Sequence, residues 1–159
     1  MTRPRRSVAP VTISAQIEIE IVRLDAELPL PQRARDDDAG IDLVARERLV
    51  LAAGGGRGIV PTGIAIAIPP GYGGFLLPRS GLALRHGVTL VNAPGLIDAG
   101  YRDEVSVALV NTDPSTDYVV ERGDRIAQLV VLPVPKISWN EVGALDGDNR
   151  GGGFGHTGR

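Results

Sequence analysis

Residues 92–104, NAPGLIDAGYRDE, put Asn92, Asp98, Tyr101 and two glycines within one short stretch. Asp98, held between Ile97 and Ala99, is a carboxylate able to orient a water or take its proton. The bends fall at Pro94-Gly95 and Ala99-Gly100, where glycine tolerates positive φ and leaves backbone N–H and C=O groups open to close approach. Such a loop can read a flat polar ligand with its main chain. An ordinary Gly/Pro hairpin carrying a surface aspartate has the same local pattern, so the chemical reading rests on other segments.

Three of those segments carry further chemistry. Arg79 and Ser80, in PRSGLALRHG, stand beside what reads as a helix start over Leu82, Ala83, Leu84 and Arg85, where free N–H groups suit phosphate. Ser80 is equally suited to a plain N-cap. Asp42, in RDDDAGIDL, lies between Ile41 and Leu43, which point to the opposite face of a strand and fix the carboxylate where it can address a ligand-bound cation. Asp36, Asp37 and Asp38 read as a solvated acidic turn. The C-terminal RGGGFGHTG offers glycine N–H nests for an anion, the charge of Arg150 and the ring of Phe154 for stacking on a base. It spells GxGxxG over residues 153–158, but a dinucleotide fingerprint needs a strand before it and a helix after it.

Short strands must position these groups. Val88, Thr89, Leu90 and Val91 precede residues 92–104, and Val105, Val107 and Leu109 alternate with Ser106 and Ala108 after it, so two strands flank a polar loop. A first strand is predicted where Ile17, Ile19 and Ile21 alternate with Glu18, Glu20 and Arg23, and others at residues 49–51, 59–68 and 72–77, the last buried through Phe75 and Leu77. Gly123-Asp124 reads as a hairpin turn between Val119-Val120 and residues 126–131. Gln128 in that strand matters if it shares a cleft with Arg79. His86 reads as a loop residue, with no second ligand at metal spacing.

Composition bounds the class. Glycine and proline make 33 of 159 residues and aromatics 4%, which favours many short strands joined by turns over long helices. The length suits one domain. Without cysteine there is neither a disulfide framework nor a thiolate metal site, so a metal must take oxygen ligands or a ligand's phosphates. A net charge of −2 gives no general pull toward nucleic acid or anionic membrane, so an anionic substrate must be met by local arginines. No apolar run approaches the roughly 20 residues that span a bilayer, and a soluble, cytoplasmic protein is expected. Residues 1–15, with Arg3, Arg5 and Arg6, read as a disordered tail, residues 16–142 as the folded domain and 143–159 as a flexible arm.

Taken in order, AGIDL, PRSGLA, NAPGLIDAGYRDE, RGDRIAQL and RGGGFGHTG resemble the five motifs of the trimeric dUTP diphosphatases, from about Ile17 to the C-terminus. The resemblance implies an all-β fold, a distorted jelly roll with one short helix, and a homotrimer whose active sites are built from several chains and closed by a C-terminal arm. It implies hydrolysis of dUTP to dUMP and pyrophosphate, with Mg²⁺ bound mainly by the triphosphate. By the same resemblance Asp98 activates the attacking water, and Tyr101 packs on the deoxyribose and excludes a 2′-hydroxyl. Asn92 and the backbone near Gly95 bond the uracil edge, and Arg79, Ser80, Gly81 and Gln128 hold phosphates. Asp42 holds a water on Mg²⁺, Arg150 meets the γ-phosphate and Phe154 stacks on uracil. Two departures stand out: Phe154 follows Arg150 by four positions, one fewer than the family pattern, and His156 replaces a common serine. The sister activity on this fold, dCTP deamination, uses a glutamate in the strand after the hairpin, where this chain has Val107 to Asn111 without an acid. A nucleotide-binding regulatory module without catalysis is the other alternative.

Overall fold

The structure, a computed structural model, describes residues 16–147. Arg150, Phe154, His156 and the N-terminal arginines lie outside the described residues. Ten strands and one helix run in the order β1 (Glu20–Arg23), β2 (Ile41–Val44), β3 (Leu49–Leu51), β4 (Arg57–Ala67), β5 (Tyr72–Leu77), α1 (Ser80–His86), β6 (Val88–Leu90), β7 (Gly95–Ile97), β8 (Glu104–Asn111), β9 (Tyr118–Val120) and β10 (Arg125–Pro133). They form a four-stranded sheet β1-β4-β8-β6, a second β2-β10-β5-β7 and a two-stranded pair β3-β9. All ladders are antiparallel. The many short strands match the composition, and the arrangement is the jelly-roll-like fold implied by the family resemblance.

One core joins the sheets. Val60, Ile66, Val107 and Leu109 from the first meet Leu43, Leu76, Ile97 and Leu129 from the second, with Leu51 and Val120 from the small pair. Strand β8 shows the cause plainly: Val105, Val107, Leu109 and Asn111 are buried while the intervening side chains face outward, the period-two pattern of a half-buried strand. Buried polar groups are satisfied. The Asn111 amide donates to Leu51 O and Thr116 O and accepts from Asp113 N, and the Thr62 hydroxyl donates to Val105 O at 2.6 Å.

Several sequence expectations are corrected. In β5 the inward residues are Gly74 and Leu76, whereas Phe75 and Leu77 are only half-buried, on the other face with Gly73. A Cβ at Gly74 would lie 2.7 Å from Ile68 Cδ1, so the close approach of Ile68 reserves that inward position for glycine. The first ladder starts at Glu20, not Ile17, and as a sheet-edge strand β1 leaves Ile21 exposed. Gly123, at φ +87, does turn the chain, but β9 pairs with β3 and β10 with β2 and β5, so no hairpin ladder flanks it. His86 ends α1 instead of lying in a loop, and its ring packs 5.0 Å from that of Tyr118.

Candidate active site

Strands β6 and β8 pair with each other through Thr89–Val110 and Leu90–Leu109, so residues 91–103 form an excursion between two paired strands. Its middle is not all loop. Gly95–Ile97 forms β7 and pairs with β5 through Gly95–Leu76 and Leu96–Phe75, adding an edge strand to the opposite sheet. The two sheets therefore pin the segment at different points. A pocket of about 170 Å³ opens there, lined by Asn92, Gly95, Leu96, Tyr101 and Ser106 over Leu76, Ile97 and Val105. Pockets for drug-sized ligands run to roughly 300–1,000 Å³, so this one suits a single ring, with the rest of the ligand lying outside it. A Cβ at Gly95 would stand 3.2 Å from Leu76 Cβ and 3.4 Å from Asn92 Nδ2, so glycine keeps the pocket floor low.

The rim carries the chemistry. The Tyr101 ring is 38% exposed, and its hydroxyl donates to Glu104 O at 2.9 Å. Tyr101 N donates to Asp98 O at 3.0 Å, so one tight turn sets the spacing of the aspartate and the ring. Asp98 is exposed, and its carboxylate makes no hydrogen bond or ion pair within the described residues, leaving both oxygens open to a water. The Asn92 amide is likewise exposed and unpaired there.

A second group forms on the outer face of the β2-β10-β5-β7 sheet. Gln128 of β10 lies in register between Asp42 of β2 and Leu77 of β5, and Arg79 follows two residues after Leu77. Asp42 Oδ1 accepts from Arg79 Nε at 3.2 Å, and Oδ2 from Arg125 Nη1 at 3.0 Å. Arg79 Nη1 donates onward to Arg125 O at 3.0 Å. The Asp42 and Arg79 side chains are 14% and 24% exposed, so that pair is partly sheltered from solvent screening, whereas Arg125 is 54% exposed. Two guanidiniums against one carboxylate leave a net positive charge beside Gln128. The ladder thus places Gln128 beside Asp42, the partner of Arg79, and in this chain it holds Asn92, Gly95 and Tyr101 around a separate pocket on the far edge of the same sheet.

The helix start departs from one expectation. Arg79, extended at φ −85 and ψ 124, is the N-cap of α1, and Ser80 is its first residue. No side chain caps the helix, so the first-turn N–H groups have no side-chain acceptor. At the other end Gly87, at φ 64, donates its N–H to Ala83 O, and Arg85 and His86 suit the negative end of the helix.

Two arginines were missed from sequence. Arg125 and Gln128 are an odd number apart, which in a regular strand puts them on opposite faces. A β-bulge between Arg125 and Ala127 shifts the register by one, buries Ile126 and Ala127 side by side and returns Arg125 to the face of Asp42. Only the partner strand reveals that. Arg85 folds back on its own helix, so a Cβ at Gly81 would lie 2.9 Å from Arg85 Nη2, and glycine makes room for a guanidinium beside Ser80. The i, i+4 spacing of Gly81 and Arg85 was the available signal.

No group of three or more His, Cys, Asp or Glu able to hold a metal exists among the described residues. Asp42 is the one carboxylate in the arginine group, with both oxygens engaged. That donor set does not build a protein cage for a cation. It fits at most a hard cation carried in by a ligand's own oxygens.

Comparisons with known proteins bear on the family and the fold. The dUTPase family model matches residues 26–158. A deoxyuridine 5′-triphosphate nucleotidohydrolase of Thermobifida fusca is 52% identical, over 98% of this chain and 90% of the relative. The Corynebacterium glutamicum protein of the same name is 55% identical, over 89% and 95%. Among solved structures, the dUTPase of staphylococcal phage 80alpha with dUpNHpp superposes with a TM-score of 0.81 at 25% identity, covering 90% of this chain and 99% of the phage chain. A point mutant of that phage enzyme gives 0.79 at 27% identity, over 87% and 97%. With an all-β fold, five ordered motifs and a matching family model over most of its length, the chain belongs to the dUTPase family.

Proposed function

We propose that the chain hydrolyses dUTP to dUMP and pyrophosphate, removing dUTP from the DNA precursor pool and supplying dUMP for thymidylate synthesis. The observation that carries this reading is the division of the site: a one-ring pocket with an unpaired amide and carboxylate on one side, and a positively charged group with open helix N–H groups on the other. The uracil ring enters the pocket, where Asn92 and the main chain at Gly95 pair with its polar edge and the low floor at Gly95 admits a ring without a 5-methyl group. Tyr101 lies along the deoxyribose and leaves no space for a 2′-hydroxyl. Arg79, Ser80, Gly81 and Gln128 receive the phosphates, joined by Arg125.

The Asp98 carboxylate orients a water and accepts its proton as the water oxygen attacks the α-phosphorus. The bond between that phosphorus and the bridging oxygen breaks, pyrophosphate leaves with the electron pair, and water supplies the new oxygen of dUMP. Asp42 would hold a water of a Mg²⁺ carried by the triphosphate, a cation that would supply screening of the phosphate charge. Arg150 and Phe154, outside the described residues, serve as the arm that meets the γ-phosphate and covers the base.

The two halves of the site come from different copies in a homotrimer. On the outer face of the second sheet Leu96, Phe75 and Val130 stand in register beside the Gln128 row, and Leu96 is 63% exposed. With Phe75 and Val130 half-buried beside it, the exposed Leu96 supports an interface on this face. Sedimentation at micromolar concentration is expected to give a trimer. No helix among the described residues is long and apolar enough to cross a membrane, and the reading places the enzyme in the cytoplasm with its substrate.

The decisive experiment is pyrophosphate release from dUTP, dTTP, dCTP and UTP in the presence of Mg²⁺. dUTP alone should turn over efficiently, and ammonia release from dCTP would transfer the protein to the deaminase reading.

A further inference from the structure

Tyr101 can filter sugars only if its ring is held still, yet it is 38% exposed, so packing covers it only in part. Its one side-chain hydrogen bond within the described residues is the hydroxyl's bond to the backbone oxygen of Glu104. The position of that oxygen therefore sets the position of the ring. Glu104 begins β8 where the ladder with β4 is broken: Pro61 opposes Ser106, but the next partner of β8 is Ala65, opposite Glu104. The intervening bulge of β4 leaves its main chain out of register with the start of β8.

A side chain takes over there. Glu104 Oε1 accepts Gly63 N at 2.7 Å, the amide turned toward it by the bulge, where Gly63 stands at φ +75. Arg46 Nη1 donates to both carboxylate oxygens, at 3.3 and 3.1 Å. Arg46 is itself braced, its Nε 3.5 Å from Asp25 Oδ2 and its backbone oxygen receiving Arg122 Nη1 at 2.9 Å. The Glu104 and Arg46 side chains are 24% and 33% exposed, so the pair is partly sheltered.

We infer that Glu104, clamped by Gly63 N and Arg46, is a positioning residue that fixes Tyr101 and so sets the discrimination between deoxyribonucleotide and ribonucleotide. It touches no substrate and acts through the Tyr101 hydroxyl. The inference rests on the reading of Tyr101 as the sugar filter.

The test measures kcat and KM for dUTP and UTP in wild type, Glu104→Ala, Glu104→Gln, Arg46→Ala and Tyr101→Phe, and in Tyr101→Phe combined with Glu104→Ala. Misplacing a positioned group costs specificity before chemistry, so Glu104→Ala should raise KM for dUTP and cut the dUTP-to-UTP preference by about tenfold, with kcat within about twofold. Glu104→Gln keeps an acceptor for Gly63 N and should recover part of the preference. It and Arg46→Ala supply the readout should Glu104→Ala not fold. In the Tyr101→Phe background, which lacks the tether, Glu104→Ala should remove no further preference. Wild-type preference in Glu104→Ala, or an equal loss with and without the Tyr101 hydroxyl, overturns the inference while leaving the sugar-filter reading intact. A wild-type enzyme that does not prefer dUTP to UTP overturns both.

Discussion

The pocket of residues 92–104 and the arginine group around Asp42 solve opposite problems with opposite materials. The pocket is made of main chain at Gly95, apolar side chains and an amide, and the Asn92 amide and the nearby Asp98 carboxylate are unpaired among the described residues. The arginine group is already paired: Asp42 holds Arg79 and Arg125 at 3.2 and 3.0 Å, fixing two flexible cations before a polyanion binds. Shape selection needs a rigid cavity with free hydrogen-bonding groups, because a wrong base then leaves buried groups unpaired. Charge recognition needs cations held in place without being fully neutralised, since ordering long side chains at the moment of binding would cost affinity. Each half of the site is thus preorganised in the way its task requires.

The sharpest way to break this comparison is to remove the group that belongs to neither task. Asp98→Asn should bind dUTP with near wild-type KM while kcat falls on the order of 10²–10⁴-fold, the range of a positioned general base. Steady-state pyrophosphate release checks it, and near-normal turnover would take the water-activating role from Asp98.

Next in size is the arginine group. Arg79→Ala removes a charged hydrogen-bond donor worth about 1.5–3 kcal/mol, and so should weaken dUTP by ten- to a hundredfold. It should leave dUMP, which lacks the β- and γ-phosphates, much less affected. Calorimetric titration of both nucleotides separates the halves, because Asn92→Ala should do the reverse. That variant weakens dUMP and dUTP by the same factor, roughly fivefold for a lost neutral hydrogen bond near 1 kcal/mol, and narrows the preference for uracil over cytosine. Equal effects of Arg79→Ala on the two nucleotides would mean that the halves are not divided as described.

How much of this could be read from the chain alone depends on whether a residue's partner is local. Alternation along β8 and the placing of Asp42 between Ile41 and Leu43 were legible, because strand periodicity is carried by the segment itself. The inward face of β5 was not. Phe75 and Leu77 look like core residues by type, and Gly74 faces inward only because Ile68 fills its space. Arg125 was hidden for a related reason, since the bulge that turns it toward Asp42 is defined against β2. The Arg46–Glu104 contact joins residues 58 positions apart, and nothing near either one announces it.

The smallest expected effect concerns the brace behind the pocket. Asp25 accepts from Arg122 Nη1 at 2.6 Å and Nη2 at 3.1 Å. The Arg122 bond, with help from Glu27 N and the charge of Arg46, lowers its carboxyl from 3.8 to about 2. A carboxyl depressed in the folded state adds stability that is fully present above its ordinary value and is lost as pH falls toward about 2. Arg122→Ala should therefore lower the melting temperature by only a few degrees at neutral pH, in keeping with an exposed ion pair. The gap from wild type should close as pH falls through that window. Thermal melts of both proteins from pH 7 to pH 2 check it, and a gap that is constant across the range would show that Arg122 supports the fold by packing and not through the ionised Asp25. Because Arg122 also holds the backbone of Arg46, KM for dUTP should rise slightly in the variant, whereas a change confined to the triphosphate would tie the brace to the wrong half of the site.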